Sequence, residues 1–285
     1  MRIFLFGPGY SAKALARRMT ARGWSVAGAA RSQASREALA ALGGEAVDPT
    51  DAGALDLALM ASDAVLISAA PDEDGCPALR ALAPTLEAGA CPGWIGYLST
   101  TGVYGDRGGR WVTEASPLAP QSEQGRRRVA AETGWRDLGQ RLGLVVTTFR
   151  LPGIYGPGRS AFDRLREGAA TRTVKPGQVF SRIHVEDLAA ALAASIDRPR
   201  AGAIYNICDD EPCPPQDVIT HAAALLGVAP PPEVAYDPTK VSAPSRRFFA
   251  ESKRVANALA KAELGWRPAY PTYREGLAAI LAAER

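Results

Sequence analysis

The sequence predicts a doubly wound α/β fold, a parallel sheet covered by helices on both faces, joined to a small discontinuous α/β lobe. Three observations predict it. Short apolar runs alternate with longer stretches of helical spacing through the first 150 residues. Those runs are apolar throughout instead of alternating, as strands buried on both faces must be. After Arg150 prolines and glycines become frequent (Pro152, Gly153, Gly156, Pro157, Gly158, Pro176, Gly177), the texture of a second, loop-rich lobe.

Residues 3–6 form the first strand, ended by Gly7 and Pro8. Residues 10–22 have helical spacing through Leu15 and Met19 and stop at Gly23. A second strand follows at 24–30, then a helix at 35–42 that stops at Gly43 and Gly44. Residues 63–69 are a strand rich in Val, Leu and Ile. Residues 78–88 are helical despite Pro84, and 94–99 are a strand. A long helix spans 123–142 and a strand 144–149. One helix at 185–195 and a strand at 203–208 return to the sheet, and a linker (Pro230, Pro231, Pro232) leads to a helical C-terminus. The sheet domain is therefore expected from residues 1–150 plus about 183–207, and the lobe from about 151–182 plus 208–285.

The 285 residues suit one large or two intimate domains at roughly 150 residues each. Lys plus Arg is 33 and Asp plus Glu 30, so the net charge of +3 gives no argument for nucleic acid. Cys76, Cys91, Cys208 and Cys213 are scattered without a paired motif, and two distant histidines argue against a metal site. No apolar stretch approaches the ~20 residues that span a bilayer, and the four-residue run at the N-terminus is too short for a signal peptide. A cytoplasmic protein with reduced thiols, no membrane partner and no nucleic-acid partner is expected.

Gly7-Pro-Gly9-Tyr10-Ser11-Ala12 lies between the first strand and the first helix and fits the G-x-G-x-x-G/A dinucleotide fingerprint. Gly7 permits the turn, Gly9 lets backbone approach a pyrophosphate, and Ala12 lets helix pack on strand. Unpaired N–H groups at the helix start suit phosphate. The second strand ends at Arg31 and Ser32, nineteen residues after Ala12, where an NAD site usually has a carboxylate for the ribose hydroxyls. A guanidinium attracts a 2′-phosphate, so NADP is favoured over NAD, with Arg36 near enough to help. The alternative is a solvated surface arginine.

Several segments in order resemble the extended short-chain dehydrogenases/reductases, the NAD-dependent epimerase/dehydratase family. Leu98-Ser-Thr-Thr-Gly-Val-Tyr-Gly105 resembles that family's fifth-strand signature, and Phe149-Arg-Leu-Pro-Gly-Ile-Tyr-Gly-Pro-Gly158 its next. Arg182-Ile-His-Val-Glu-Asp-Leu188, Tyr205-Asn-Ile207 and Leu264-Gly-Trp-Arg-Pro268 resemble its later landmarks. The resemblance implies a Rossmann domain and assigns roles by position. Thr100 matches the catalytic Ser/Thr. Asp48 matches the acidic residue at the adenine, and Ser68, Ala69 and Ala70 match the loop lining the cofactor. Arg182 matches an arginine facing a substrate diphosphate.

One departure matters. The family's Tyr-x-x-x-Lys sets a phenol and a cation on one helix face for proton exchange. Aligned on Ala130-Ala131-Glu132, this chain has Gln124 and Arg128 there. A glutamine amide hydrogen-bonds but does not titrate near neutral pH, whereas Arg128 still offers the nicotinamide ribose a cation. By family position Tyr104 is a candidate phenol, with core packing the favoured reading. Tyr236-x-x-x-Lys240 falls in a Pro-rich loop and reads as coincidence. The family's dehydratases carry Asp-Glu after the Thr, where this chain has Thr101-Gly102, which disfavours dehydration. Arg126 and Arg127 read as solvated, paired with Glu123 or Glu132. Arg246 and Arg247 bind either a substrate phosphate or carboxylate, or salt bridges between lobes.

The leading expectation is an NADP-dependent oxidoreductase or epimerase acting on a carbinol or carbonyl carbon of a small, possibly nucleotide-linked molecule. The alternative is a binding protein that senses NADP(H) or a metabolite, and a weaker one is a structural subunit. Pairing across the 123–142 helix would give a homodimer by analogy with the family.

Overall fold

The computed structural model describes residues 1–284. The first half runs β1 (Arg2–Phe6), α1 (Tyr10–Thr20), β2 (Ser25–Ala29), α2 (Gln33–Ala40), β3 (Glu45–Val47), α3 (Ala52–Met60), β4 (Ala64–Ile67) and α4 (Pro77–Glu87). It continues with β5 (Trp94–Thr100), a 3-10 turn (Thr101–Tyr104), β6 (Trp111–Val112), α5 (Glu123–Leu142) and β7 (Val146–Leu151). Then come β8 (Gly153–Tyr155), α6 (Ala161–Arg166), β9 (Arg172–Val174), β10 (Arg182–His184), α7 (Val185–Asp197) and β11 (Ile204–Asn206). The chain ends with α8 (Pro215–Leu226), β12 (Glu233–Ala235), α9 (Ala243–Phe249), β13 (Arg254–Val255), α10 (Ala258–Leu264) and α11 (Tyr273–Ala283).

Seven strands form one parallel sheet in the order β11-β7-β5-β4-β1-β2-β3. The order reverses between β1 and β4, the switch point at whose carboxyl edge open α/β sheets bind ligands. One face buries Ile3, Leu5, Leu66 and Trp94 beneath Leu15 and Met19 of α1 and Leu188 and Leu192 of α7. The other buries Phe4, Val65, Ile95 and Tyr97 beneath Leu59 of α3, Leu86 of α4 and Trp135 of α5. Strand residues of both parities are thus buried, which is why the strands read as unbroken apolar runs. A separate core joins Phe162 of α6, Ala222 of α8 and Leu277 of α11.

The helix at Glu123–Leu142 has the expected bounds because both ends are marked. Ser122 accepts from the Gly125 amide at the start, and Gly143 takes the left-handed conformation (φ +69°) at the end. The structure adds β3 and α3 between 45 and 60, where the sequence pattern marks no element. One correction concerns the lobe. Ala260, Leu264 and Trp266 pack in the core of the sheet, with α10 against α7 and β11, so this stretch of 208–285 sits on the sheet. No helix among the described residues is long and apolar enough to cross a membrane.

Candidate active site

The switch point gathers the nucleotide candidates. β1 hands directly into Gly7, and β4 into Ser68, Ala69 and Ala70. Gly7 has φ +90°, and a Cβ there would lie 2.8 Å from the Ala69 amide nitrogen. The Ser68 hydroxyl donates to the Gly7 carbonyl and fixes the turn. Gly9 is different. Its backbone (φ −82°, ψ −165°) suits any residue, and a Cβ there would meet only the Gly7 carbonyl, at 4.0 Å. Packing within the chain gives no reason for glycine at 9, so the space above it is left for a ligand. No side chain caps α1 at Gly9, so its first N–H groups are open to an anion. Ser11 and Ala12 are buried beneath it, and the Tyr10 hydroxyl donates to the Pro157 carbonyl at 3.1 Å.

The two glycines should therefore separate in experiment. Gly7→Ala is expected to destabilise the fold by about 1–3 kcal/mol through backbone strain and the clash at Ala69. Gly9→Val should leave urea stability within about 0.5 kcal/mol yet weaken nucleotide binding at least tenfold. Equal losses in both variants, read by urea unfolding and nucleotide titration, would contradict this division.

Arg31 and Ser32 follow β2, and Asp48 follows β3, so the parallel sheet brings all three to the same carboxyl edge. Arg31 is exposed and forms no ion pair among the described residues. Ser32 caps α2 by accepting from the Ser35 amide at 3.2 Å. Asp48 accepts from the Thr50 amide and hydroxyl and pairs with Arg36 at 3.1 Å. These bonds, those from Thr50 foremost, hold its carboxyl below the usual range.

Beyond β5 opens a cleft of about 730 Å³. Thr100, Thr101 and Gly102 form one wall, and Gln124 at the start of α5 another. The lobe closes it with Phe180, Ser181, Arg247, Phe248, Glu251 and Lys253. Thr100 Oγ1 accepts from the Gly102 amide at 3.1 Å, which leaves its hydroxyl proton free to donate. Lys253 Nζ is 2.5 Å from Glu251 Oε2. Phe180, Phe248, Glu251 and Lys253 were not found by sequence reading. They come from segments some 80 to 150 residues beyond Thr100, and no spacing ties them together.

Four candidate residues do not line the cleft. Tyr104 is wholly buried, and its hydroxyl donates to Asn206 Oδ1 at 2.8 Å and accepts from Arg150 Nη1 at 3.1 Å. Burial pushes its pKa up, so it is a core residue and not a proton donor to the cleft. Arg128 is half-buried beside the Tyr97 ring, donates to the Leu98 carbonyl and is not among the residues lining the cleft. Arg246 donates to the Pro238 and Val241 carbonyls, so only Arg247 of the pair reaches the cleft. Arg182 is not among the residues lining the cleft. It donates to Cys213 Sγ at 2.8 Å, 5.6 Å from the Tyr273 ring centre.

Behind Arg182 lies Asp209, 1% exposed, with neither carboxylate oxygen hydrogen-bonded among the described residues. Burial, opposed by Arg182, pushes its pKa up to about 8. The native state thus holds a proton that the unfolded chain releases near pH 4. Its contribution to stability is fully present below pH 4 and is lost as pH rises toward 8. Asp209→Asn should flatten that decline, measured as Tm between pH 5 and 8.5; an unchanged slope would refute it.

A family model, NAD dependent epimerase/dehydratase family, matches residues 92–208. Protein YeeZ of Escherichia coli (strain K12) is 32% identical over 245 residues, covering 81% of this chain and 85% of that protein. The structure of a functionally unknown conserved protein from Silicibacter pomeroyi DSS is 48% identical, covers 99% of this chain and 98% of its own, and superposes with a TM-score of 0.92. The dTDP-glucose 4,6-dehydratase of Bacillus anthracis in complex with NAD shares the fold at 19% identity, with 99% and 96% covered and a TM-score of 0.81.

Proposed function

Because the chain belongs to the NAD dependent epimerase/dehydratase family, we propose that it is an NADP-dependent reductase or epimerase acting on a carbonyl or carbinol carbon held against Thr100. The observation that carries the reading is Gly9, open above and uncapped at the start of α1. Gly7 and Gly9 with the α1 N-terminus would hold the pyrophosphate, Ser68 to Ala70 would flank it, and Arg31 would take the 2′-phosphate. Bound there, the nicotinamide supplies a hydride to the carbonyl carbon or accepts one from the carbinol.

The chain's own residues do the rest. Thr100 donates to the substrate oxygen, and the Gln124 amide across the cleft gives a second hydrogen bond. Neither delivers a proton at neutral pH. The proton is assigned to the Lys253 ammonium, which lines the same cleft and is paired with Glu251. In the reducing direction hydride goes to carbon and this proton to oxygen, giving the alcohol.

The test is a titration of the purified protein with NADPH and with NADH. NADPH should bind at least tenfold tighter, about 1.4 kcal/mol, and Arg31→Ala should erase the difference. Equal affinities in the native protein would overturn the NADP assignment. A second reading, a sensor of NADP(H), is favoured by the non-titrating Gln124. It requires different affinities for oxidised and reduced cofactor, hence different protease patterns with each; identical patterns would discard it.

A further inference from the structure

Resting on the reductase reading, we propose that the cleft selects a planar aromatic carbonyl compound bearing a single carboxylate, and not a nucleotide diphosphate. Phe180 and Phe248 both line the cleft and stack with ring centres 3.9 Å apart and planes 17° apart. Phe249 meets the pair edge-on, 5.2 Å from Phe248 and 6.2 Å from Phe180, and fixes the platform. Yet Phe248 remains 47% exposed. An exposed aromatic face is costly in water, and a flat ring laid on it recovers that cost and adds stacking.

Charge sets the other half of the selection. Of the cations in the cleft, Lys253 is already neutralised by Glu251. Arg247 lines the cleft and forms no ion pair among the described residues. One unpaired guanidinium matches one carboxylate, bidentately. A diphosphate brings a second charge with no free partner. The one arginine from the re-entering strand, Arg182, donates to Cys213, lies over the Tyr273 ring and does not line the cleft. Glu123 at the rim is held by Arg126 and Arg127 and attracts no further cation.

The probe is 4-formylbenzoate, compared with benzaldehyde and UDP-glucose, each titrated into the full chain by calorimetry without cofactor. With NADPH present, hydride would pass to the aldehyde carbon and a proton to its oxygen, giving 4-(hydroxymethyl)benzoate and NADP. 4-Formylbenzoate should bind at least tenfold tighter than UDP-glucose. Phe248→Ala should weaken both aldehydes about tenfold. Arg247→Gln should weaken 4-formylbenzoate about tenfold and leave benzaldehyde unchanged. Both side chains face solvent, and circular dichroism checks that the variants fold. Tighter UDP-glucose binding, or no loss in either variant, overturns the proposal. Strong 4-formylbenzoate binding with no NADPH binding would sink the reductase reading and leave the substrate class standing. The reverse result would sink the class alone.

Discussion

Thr100→Ala is expected to lower kcat by about 10²- to 10³-fold, the cost of losing one aimed donor at a developing oxyanion, while the NADPH dissociation constant stays within about threefold. The direction follows from the hydroxyl's own bonding. Its oxygen already accepts from the Gly102 amide, so the proton is the part left to give, and it faces the cleft shared with Gln124 and Lys253. Alanine removes the donor and also the side-chain cap of the 3-10 turn. Thr100→Ser keeps both and separates the two effects. Serine activity close to native with alanine inactive assigns the loss to the donor. Full turnover in Thr100→Ala would remove Thr100 from the chemistry.

The sheet was legible because its strands are buried on both faces, and the nucleotide turn because its glycines directly follow the first strand. What stayed hidden had physical reasons. β3 is a three-residue edge strand, too short for a pattern. α3 is free of polar side chains except at Asp56, with Leu57 and Met60 exposed and Leu55 and Leu59 buried, so periodicity shows no face. Arg182 shows the limit of reading roles by position. Neighbouring strand residues face opposite sides, so with Ser181 in the cleft wall the next side chain turns to Cys213. Tyr104 is carried under the wall by a 3-10 turn that counting from Thr100 cannot reveal. The lobe's contribution, Phe180 with Phe248, Glu251 and Lys253, depends on how α9 and β13 fold back, which no local pattern encodes.

The largest stability effect should come from Arg150→Ala, at about 3–5 kcal/mol, the cost of leaving a buried charge without its partner. Arg150 and Glu132 have side chains only 3% and 5% exposed and meet through Nη2 to Oε2 at 2.8 Å and Nε to Oε1 at 3.2 Å. The same guanidinium donates to the Tyr104 hydroxyl and the Glu114 carbonyl, and Glu114 accepts from the Asn206 amide at 2.8 Å. β7, β11, the 3-10 turn and α5 are thus tied at one point, and β5 joins them where the Ser99 hydroxyl donates to Glu132. Arg150→Lys should not rescue, because a single ammonium cannot span Glu132, Tyr104 and Glu114 together. The double variant Arg150→Leu with Glu132→Leu should cost less than Arg150→Ala, since no charge is then stranded. Urea unfolding measures all three, and a loss below about 1 kcal/mol in Arg150→Ala would show that the pair is not the clamp. If it is, turnover in Arg150→Lys should fall even where the protein remains folded. Thr100 is the cap of the very turn whose far end, Tyr104, Arg150 holds in place.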